Sequence, residues 1–186
     1  EITTMLQKEL CRRKEVFGEF RPGRPGEPYI VKESVHHFYK QVAGSPIKRP
    51  PWYFDTRQQG EGIVDVTTHL VDLIQWECFP GERISCSRDI TVHDARRWPT
   101  YISRSRFQKV TGIDDFPEYL TGQLNDEGML PVYCNGELEY EIKGLNARVA
   151  VMWDFENPGG GDTHFSLMGG TRATVTIKQG AEQNYK

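Results

Sequence analysis

The chain has 186 residues, 23 Lys and Arg against 26 Asp and Glu, a net charge of −3 and a pI of about 6.0. That is enough for one domain with a real hydrophobic core, and the acidic balance argues against a nucleic-acid-binding surface. No apolar run approaches the roughly 20 residues that span a bilayer, so no membrane segment is expected.

Ile2 to Phe17 spaces Ile2, Met5, Leu6 and Leu10 as a helix and ends on basic residues, which suit the negative helix terminus. Gly18 to Pro28, containing Arg-Pro-Gly-Arg-Pro-Gly-Glu-Pro, reads as a loop. Residues 1–28 are therefore expected as a helix and linker ahead of a domain over 29–186. Tyr29 to Val42 is two-sided: Tyr29-Ile30-Val31 begins like a strand, whereas Val35, Phe38, Tyr39 and Val42 recur at helical spacing. The helix is favoured, from about Glu33 to a cap at Gly44. Pro46, Pro50 and Pro51 force an extended lead-in, which predicts a short strand or approach segment at Trp52-Tyr53-Phe54. Asp55 or Thr56 can cap the helix after it.

Gln58 to Trp76 is the central helix. Ile63, Val64, Val66, Leu70, Val71, Leu73 and Ile74 fill one broad side of it, suited to a core. Asp65, His69, Asp72 and Trp76 fall at i, i+4, i+7 and i+11, inside an arc of roughly 60° on the opposite side. A solvated face usually carries Lys, Glu and Arg. Two carboxylates, an imidazole and an indole suit a pocket wall, although an Asp–His pair at this spacing can also be a simple helix-stabilising contact. Gly60 and Gly62 leave the first turn bare, open to close approach by a ligand. A carboxylate beside an imidazole is equipped for proton transfer near neutral pH.

Beyond this helix, Asp89 to Trp98 reads as a strand ended by Pro99, Arg104 to Val110 as a helix closed by Gly112, and Phe116 to Leu120 as a helical turn. The period then changes to two. Pro131–Asn135, Glu137–Lys143, Ala147–Phe155, His164–Met168 and Arg172–Gln179 are five predicted strands, separated by Asn135-Gly136, Gly144, Gly159-Gly160-Gly161-Asp162 and Gly169-Gly170. Short loops between successive strands predict an antiparallel meander. The fold class is α+β: an open, mostly antiparallel sheet with helices packed on one face. A homo-oligomer partner would cover the other face.

Cys11, Cys78, Cys86 and Cys134 are scattered, without C-x-x-C spacing or a matched His pair, so no metal site or redox motif is expected. His164 follows the glycine-rich loop and could border a ligand pocket, or Asp162 could simply cap its own loop. Arg96 and Arg97 point to opposite faces of a strand, so one can meet an anionic group while the other is solvated. His36-His37 read as structural, and Trp52-Tyr53-Phe54 as core or contact aromatics with sugar stacking the lesser use. The chain starts at Glu1 without Met and ends at Asn184-Tyr185-Lys186 just past a strand, so it is expected to be a piece of a longer protein. A cytoplasmic location is expected, with export open because a leader could precede Glu1.

The run Gly60-Glu61-Gly62-Ile63-Val64-Asp65-Val66-Thr67-Thr68-His69-Leu70-Val71-Asp72 resembles the G-G-G-x-x-x-D-x-x-x-H-x-x-D helix of the glucose–fructose oxidoreductase/inositol dehydrogenase/MocA family, whose members are NAD(P)-dependent sugar and polyol oxidoreductases. Met168-Gly169-Gly170-Thr171-Arg172-Ala173-Thr174-Val175 is similar to the family's late strand–turn–strand, and nearly all of the chain resembles the C-terminal domain of a divergent oxidoreductase branch. The resemblance implies NAD or NADP held mainly by a nucleotide domain outside this chain, and a homo-oligomer built through the sheet face. It implies catalytic roles for Asp65 and His69, alongside a lysine of that other domain. Asp72, Trp76, His164 and Arg97 are the expected substrate-binding residues, and Gly60 and Gly62 the cofactor-approach residues. The substrate is expected to be a sugar or polyol; the alternatives are NAD-using glycoside cleavage and a non-catalytic carbohydrate-binding scaffold. Glu61 departs from the family pattern by replacing the middle glycine.

Overall fold

The computed structural model describes residues 2–42 and 44–185. Glu1, Lys186 and the Ala43 step of the helix expected to reach Gly44 lie outside the described residues. In chain order the elements are α1 (Ile2–Cys11), β1 (Ile30–Tyr39), the short ribbon β2 (Gln41–Val42) and β3 (Ser45–Pro46), a 3-10 turn (Pro51–Phe54), α2 (Thr56–Gln59) and α3 (Ile63–Cys78). There follow α4 (Cys86–Asp89), β4 (Ile90–Ile102), α5 (Arg104–Thr111), α6 (Glu118–Thr121), β5 (Leu130–Ile142), β6 (Leu145–Glu156), β7 (Thr163–Gly169), β8 (Thr174–Gln179) and a closing 3-10 turn (Ala181–Gln183).

Six strands form one sheet in the order β4-β5-β6-β1-β7-β8. All neighbours are antiparallel except β1 and β6, which run parallel with Ile30 beside Ala147 and His36 beside Trp153. The α+β class with a mostly antiparallel sheet and helices therefore stands. Two sequence expectations are corrected. Residues 30–39 form a central strand, not a helix: the apparent helical spacing reflects a strand flanked on both edges, whose buried residues include Ile30, Lys32 and Ser34 on one side and His37 on the other. The meander is also interrupted, because β1 inserts between β6 and β7.

Smaller departures share a cause. Asn135-Gly136, expected as a turn, lies inside β5, where Asn135 is occupied by neighbours: its amide donates to Trp98 O (3.1 Å) and Thr100 Oγ1 (2.9 Å), and its Oδ1 accepts from Trp153 N (2.7 Å). Strand β4 runs through Pro99 because it is a sheet edge and its register shifts between Trp98 and Pro99, so the missing N–H interrupts no regular ladder. Trp52-Tyr53-Phe54 forms a 3-10 turn with Pro51 at its start. The central helix breaks at Gly60, whose φ of 80° and ψ of −178° are accessible to glycine almost alone.

The core lies between the sheet and α3, α1 and α5. Val149, Val151 and Trp153 of β6 face it, with Leu70 and Ile74 of α3, Phe54, and Phe107 and Val110 of α5. The 1–28 segment takes part as well: Cys11 and Phe17 are buried, Arg21 N donates to Gly169 O, and α1 packs on β8 and α3. The opposite sheet face carries Arg148, which pairs with Glu33 and with Glu137, the latter at 3.1 Å.

Candidate active site

Helix α3 divides into three sides at 100° per residue. Leu70, Ile74 and Glu77 are buried against the sheet. About 100° away, Val64, Thr68, Val71 and Gln75 line an open groove of about 600 Å³, whose other wall is Ala95 and Arg97 of β4 with Leu138 of β5. The apolar half expected to sit on the core is thus shared: Leu70 and Ile74 reach it, while Val64 is 51% exposed. The third side carries Asp65, His69 and Trp76, with Asp72 at its border with the groove.

On that third side the four expected residues differ in surroundings. Asp65 is half-buried, and its Oδ2 accepts a hydrogen bond from Tyr53 Oη at 3.2 Å. His69 is exposed and its ring makes no hydrogen bond among the described residues, to Asp65 or to any other group. Trp76 lies under the Lys8 ammonium, 3.5 Å from the ring centroid. Asp72 is exposed. Asp65 and His69 therefore share a helix side without their side chains bonding to each other.

The remaining expected residues fall in three places. Arg97 donates to both oxygens of Glu61, at 2.6 and 2.5 Å, and stacks over Tyr133, 4.6 Å from the ring, so its charge is engaged at the head of the groove. Arg96 is likewise held by Glu137, at 2.6 and 2.9 Å. His164, on β7 beside Ser34 and Gln179, borders a different and smaller hollow with Arg148 and Lys178. Gly62 leaves its Cβ position empty against β5, where a methyl would stand 2.8 Å from Cys134 Cβ. At Gly60 a Cβ would meet only Val64 Cγ2, at 3.4 Å, so of the two glycines this one leaves room for a ring to approach.

Three features were not legible as sites in the sequence. Lys32 is fully buried and donates to Glu77 Oε1 (2.9 Å), Ser166 Oγ (2.9 Å) and Gln7 Oε1 (3.4 Å), tying α1, β1, α3 and β7 together. Burial pushes the Glu77 carboxyl above its ordinary range, against the pull of Lys32. The available signal was a glutamate three residues after Ile74, on the apolar stripe. Second, Asp162 accepts from Nδ1 of His36 and of His37, each at 3.1 Å, and from Lys40, closing the glycine-rich loop over the end of β1. Third, Tyr53 supplies the only hydrogen bond to the Asp65 carboxylate among the described residues.

Residues 6–186 match the family model described as "Putative oxidoreductase C terminal domain". The chain belongs to this oxidoreductase C-terminal domain family. Its full length aligns with a crystal structure of a "putative oxidoreductase" from Parabacteroides merdae at 55% identity and a TM-score of 0.95. This C-terminal domain spans 42% of that chain's length. The same fold occurs in GenD2 from gentamicin A biosynthesis, solved in complex with NAD: 95% of this chain and 36% of GenD2 align, at 15% identity and a TM-score of 0.54. No curated protein matches the chain. Among the described residues no helix is long and apolar enough to cross a membrane.

Proposed function

We propose that this domain is the substrate-binding and oligomerisation part of an NAD- or NADP-dependent oxidoreductase acting on a sugar or polyol. The observation that carries the reading is the outer side of α3, where a half-buried carboxylate and an exposed imidazole lie one turn apart with no other part of the described chain bonded to the imidazole. A hydride acceptor is the chemistry the nicotinamide cofactor brings, held on a nucleotide domain outside this chain. Gly60 fits that arrangement because its bare Cα leaves space beside the first turn of α3, whereas Gly62 is taken up by packing on Cys134.

Within this reading His69 accepts the proton of the carbinol hydroxyl as the carbon loses hydride, and returns it in the reverse direction. Its exposure lets a substrate hydroxyl reach the ring. Asp65 accepts a hydrogen bond from a neighbouring substrate hydroxyl through the oxygen that Tyr53 leaves free, and Asp72 and Trp76 border the same side. Arg97 and His164 lie in other hollows and serve substrate only if the sugar extends beyond the outer side of α3. In the same proposal the helix-free sheet face, with half-buried Val35, Phe165 and Leu167 and Met152 at 45% exposure, receives a second copy of the chain.

The test is the full-length protein with NAD⁺ or NADP⁺ and a panel of pyranoses, their alkyl glycosides and polyols, followed by reduced-cofactor absorbance with product analysis. His69→Ala should lower kcat by about 100-fold or more, the range of a lost general base. An unchanged kcat would remove the catalytic role of His69. Release of free sugar without net reduced cofactor would replace oxidation by glycoside cleavage.

A further inference from the structure

Resting on that reading, we propose that Tyr53 is a positioning residue for Asp65, fixing which carboxylate oxygen faces the substrate. Tyr53 is placed before α3 begins. It lies in the 3-10 turn that Pro50 and Pro51 introduce, and its ring packs edge-on to buried Phe54 with centroids 5.4 Å apart. From the other side it is covered by Arg49, whose guanidinium lies 4.5 Å from the Tyr53 centroid and 5.2 Å from that of Trp153. Arg49 is itself anchored, donating to Phe38 O at 3.0 Å and His37 O at 3.2 Å on the central strand.

The phenol therefore reaches Asp65 from the 3-10 turn, which Arg49 ties to the sheet, and not from the helix that bears the carboxylate. Its Oη donates to Oδ2 at 3.2 Å. Burial pushes the phenol well above its ordinary value, Arg49 opposing and Asp65 reinforcing the shift, so it stays protonated and a donor through the physiological range. An aspartate with one oxygen held has fewer rotamers to search when substrate arrives, and positioning of this kind acts on the rate of reaction more than on affinity. His69, one turn on, accepts or donates no such bond among the described residues, so Tyr53 holds one member of the pair and not the other.

Tyr53→Phe in the full-length protein keeps the ring, its edge contact and the Arg49 stack, and removes one donor. With the substrate found in the panel above, kcat should fall about tenfold while KM stays within about twofold, the pattern of an interaction used in the transition state. Asp65→Ala, which removes the acceptor, should lower kcat by itself, and the double variant should be no worse than Asp65→Ala alone. Additive losses, or an unchanged kcat in Tyr53→Phe, would overturn the assignment. A crystal structure of Tyr53→Phe gives a readout independent of turnover: the Asp65 carboxylate should leave its present orientation, and an unmoved carboxylate would also overturn the assignment. If His69→Ala retains full kcat, the catalytic reading fails by itself, while the carboxylate orientation still decides whether Tyr53 positions Asp65.

Discussion

Lys32 is tolerated in the interior because acceptors from three distant parts of the chain meet it there, and Ser166 Oγ donates onward to Gln7 Oε1 at 2.8 Å. Glu77 keeps one oxygen, Oε2, without a partner among the described residues. Removing a single member therefore leaves an uncompensated buried charge. Lys32→Met should destabilise by about 3–5 kcal/mol in urea unfolding, while Lys32→Met with Glu77→Leu should recover most of that loss. Asp162 gives a pH-dependent counterpart. Burial raises its carboxyl, but hydrogen bonds from His36, Lys40 and His37 outweigh that and hold it far below the usual range. A carboxyl depressed on folding stabilises above its unfolded pKa and loses that contribution as pH falls toward the folded value. Asp162→Asn should thus be about 2 kcal/mol less stable than wild type at pH 7, with the difference narrowing as pH drops from about 5 toward 2. An equal difference at both ends of a pH series, each point measured by urea unfolding, would exclude this origin.

At the scale of elements, α3 is where sequence and structure agree best and where the remaining ambiguity is most instructive. Its helical period, its polar side and the glycine preceding it were all legible, since each is a local property. That Val64 and Val71 border a groove while Leu70 and Ile74 reach the core was not, because the width of the sheet beneath depends on strands far along the chain. The two glycines are separable by experiment. Gly62, the N-cap of α3, has a backbone conformation alanine also adopts, so Gly62→Ala would gain at most about 1 kcal/mol by stiffening the unfolded chain. The contact with Cys134 Cβ should outweigh it, giving a net loss of about 1–2 kcal/mol. Gly60→Ala has room for its methyl but a backbone conformation that alanine avoids, and should cost about 1–3 kcal/mol. Thermal or urea unfolding of both variants checks the pair, and a stabilised Gly62→Ala would contradict the packing account.

For the whole molecule, two-residue periodicity and glycine turns located the strands over residues 131–179, although the first two are joined in β5, and the sheet order was not legible. Strand β1 was hidden because its interior polar residues have partners over a hundred positions away, as with Lys32 and Ser166, 134 positions apart. Asn135 illustrates the converse: a residue typical of turns is held in a strand by bonds to two neighbouring strands. The helix-free face leads to a further prediction at this scale. If a second copy covers it, Met152→Glu together with Phe165→Glu should reduce the sedimentation coefficient of the full-length protein to that of a monomer, without loss of secondary structure. A monomeric wild-type protein would refute the arrangement.

The insertion of β1 between β6 and β7 also bears on how the polypeptide acquires its shape. During synthesis β1 leaves the ribosome long before either neighbour exists, and neither of its edges can be satisfied until residues 145–169 have followed. Loop closure over such a separation is slow, so collapse should be gated by this one late event, with an open-edged intermediate prone to self-association in the interval.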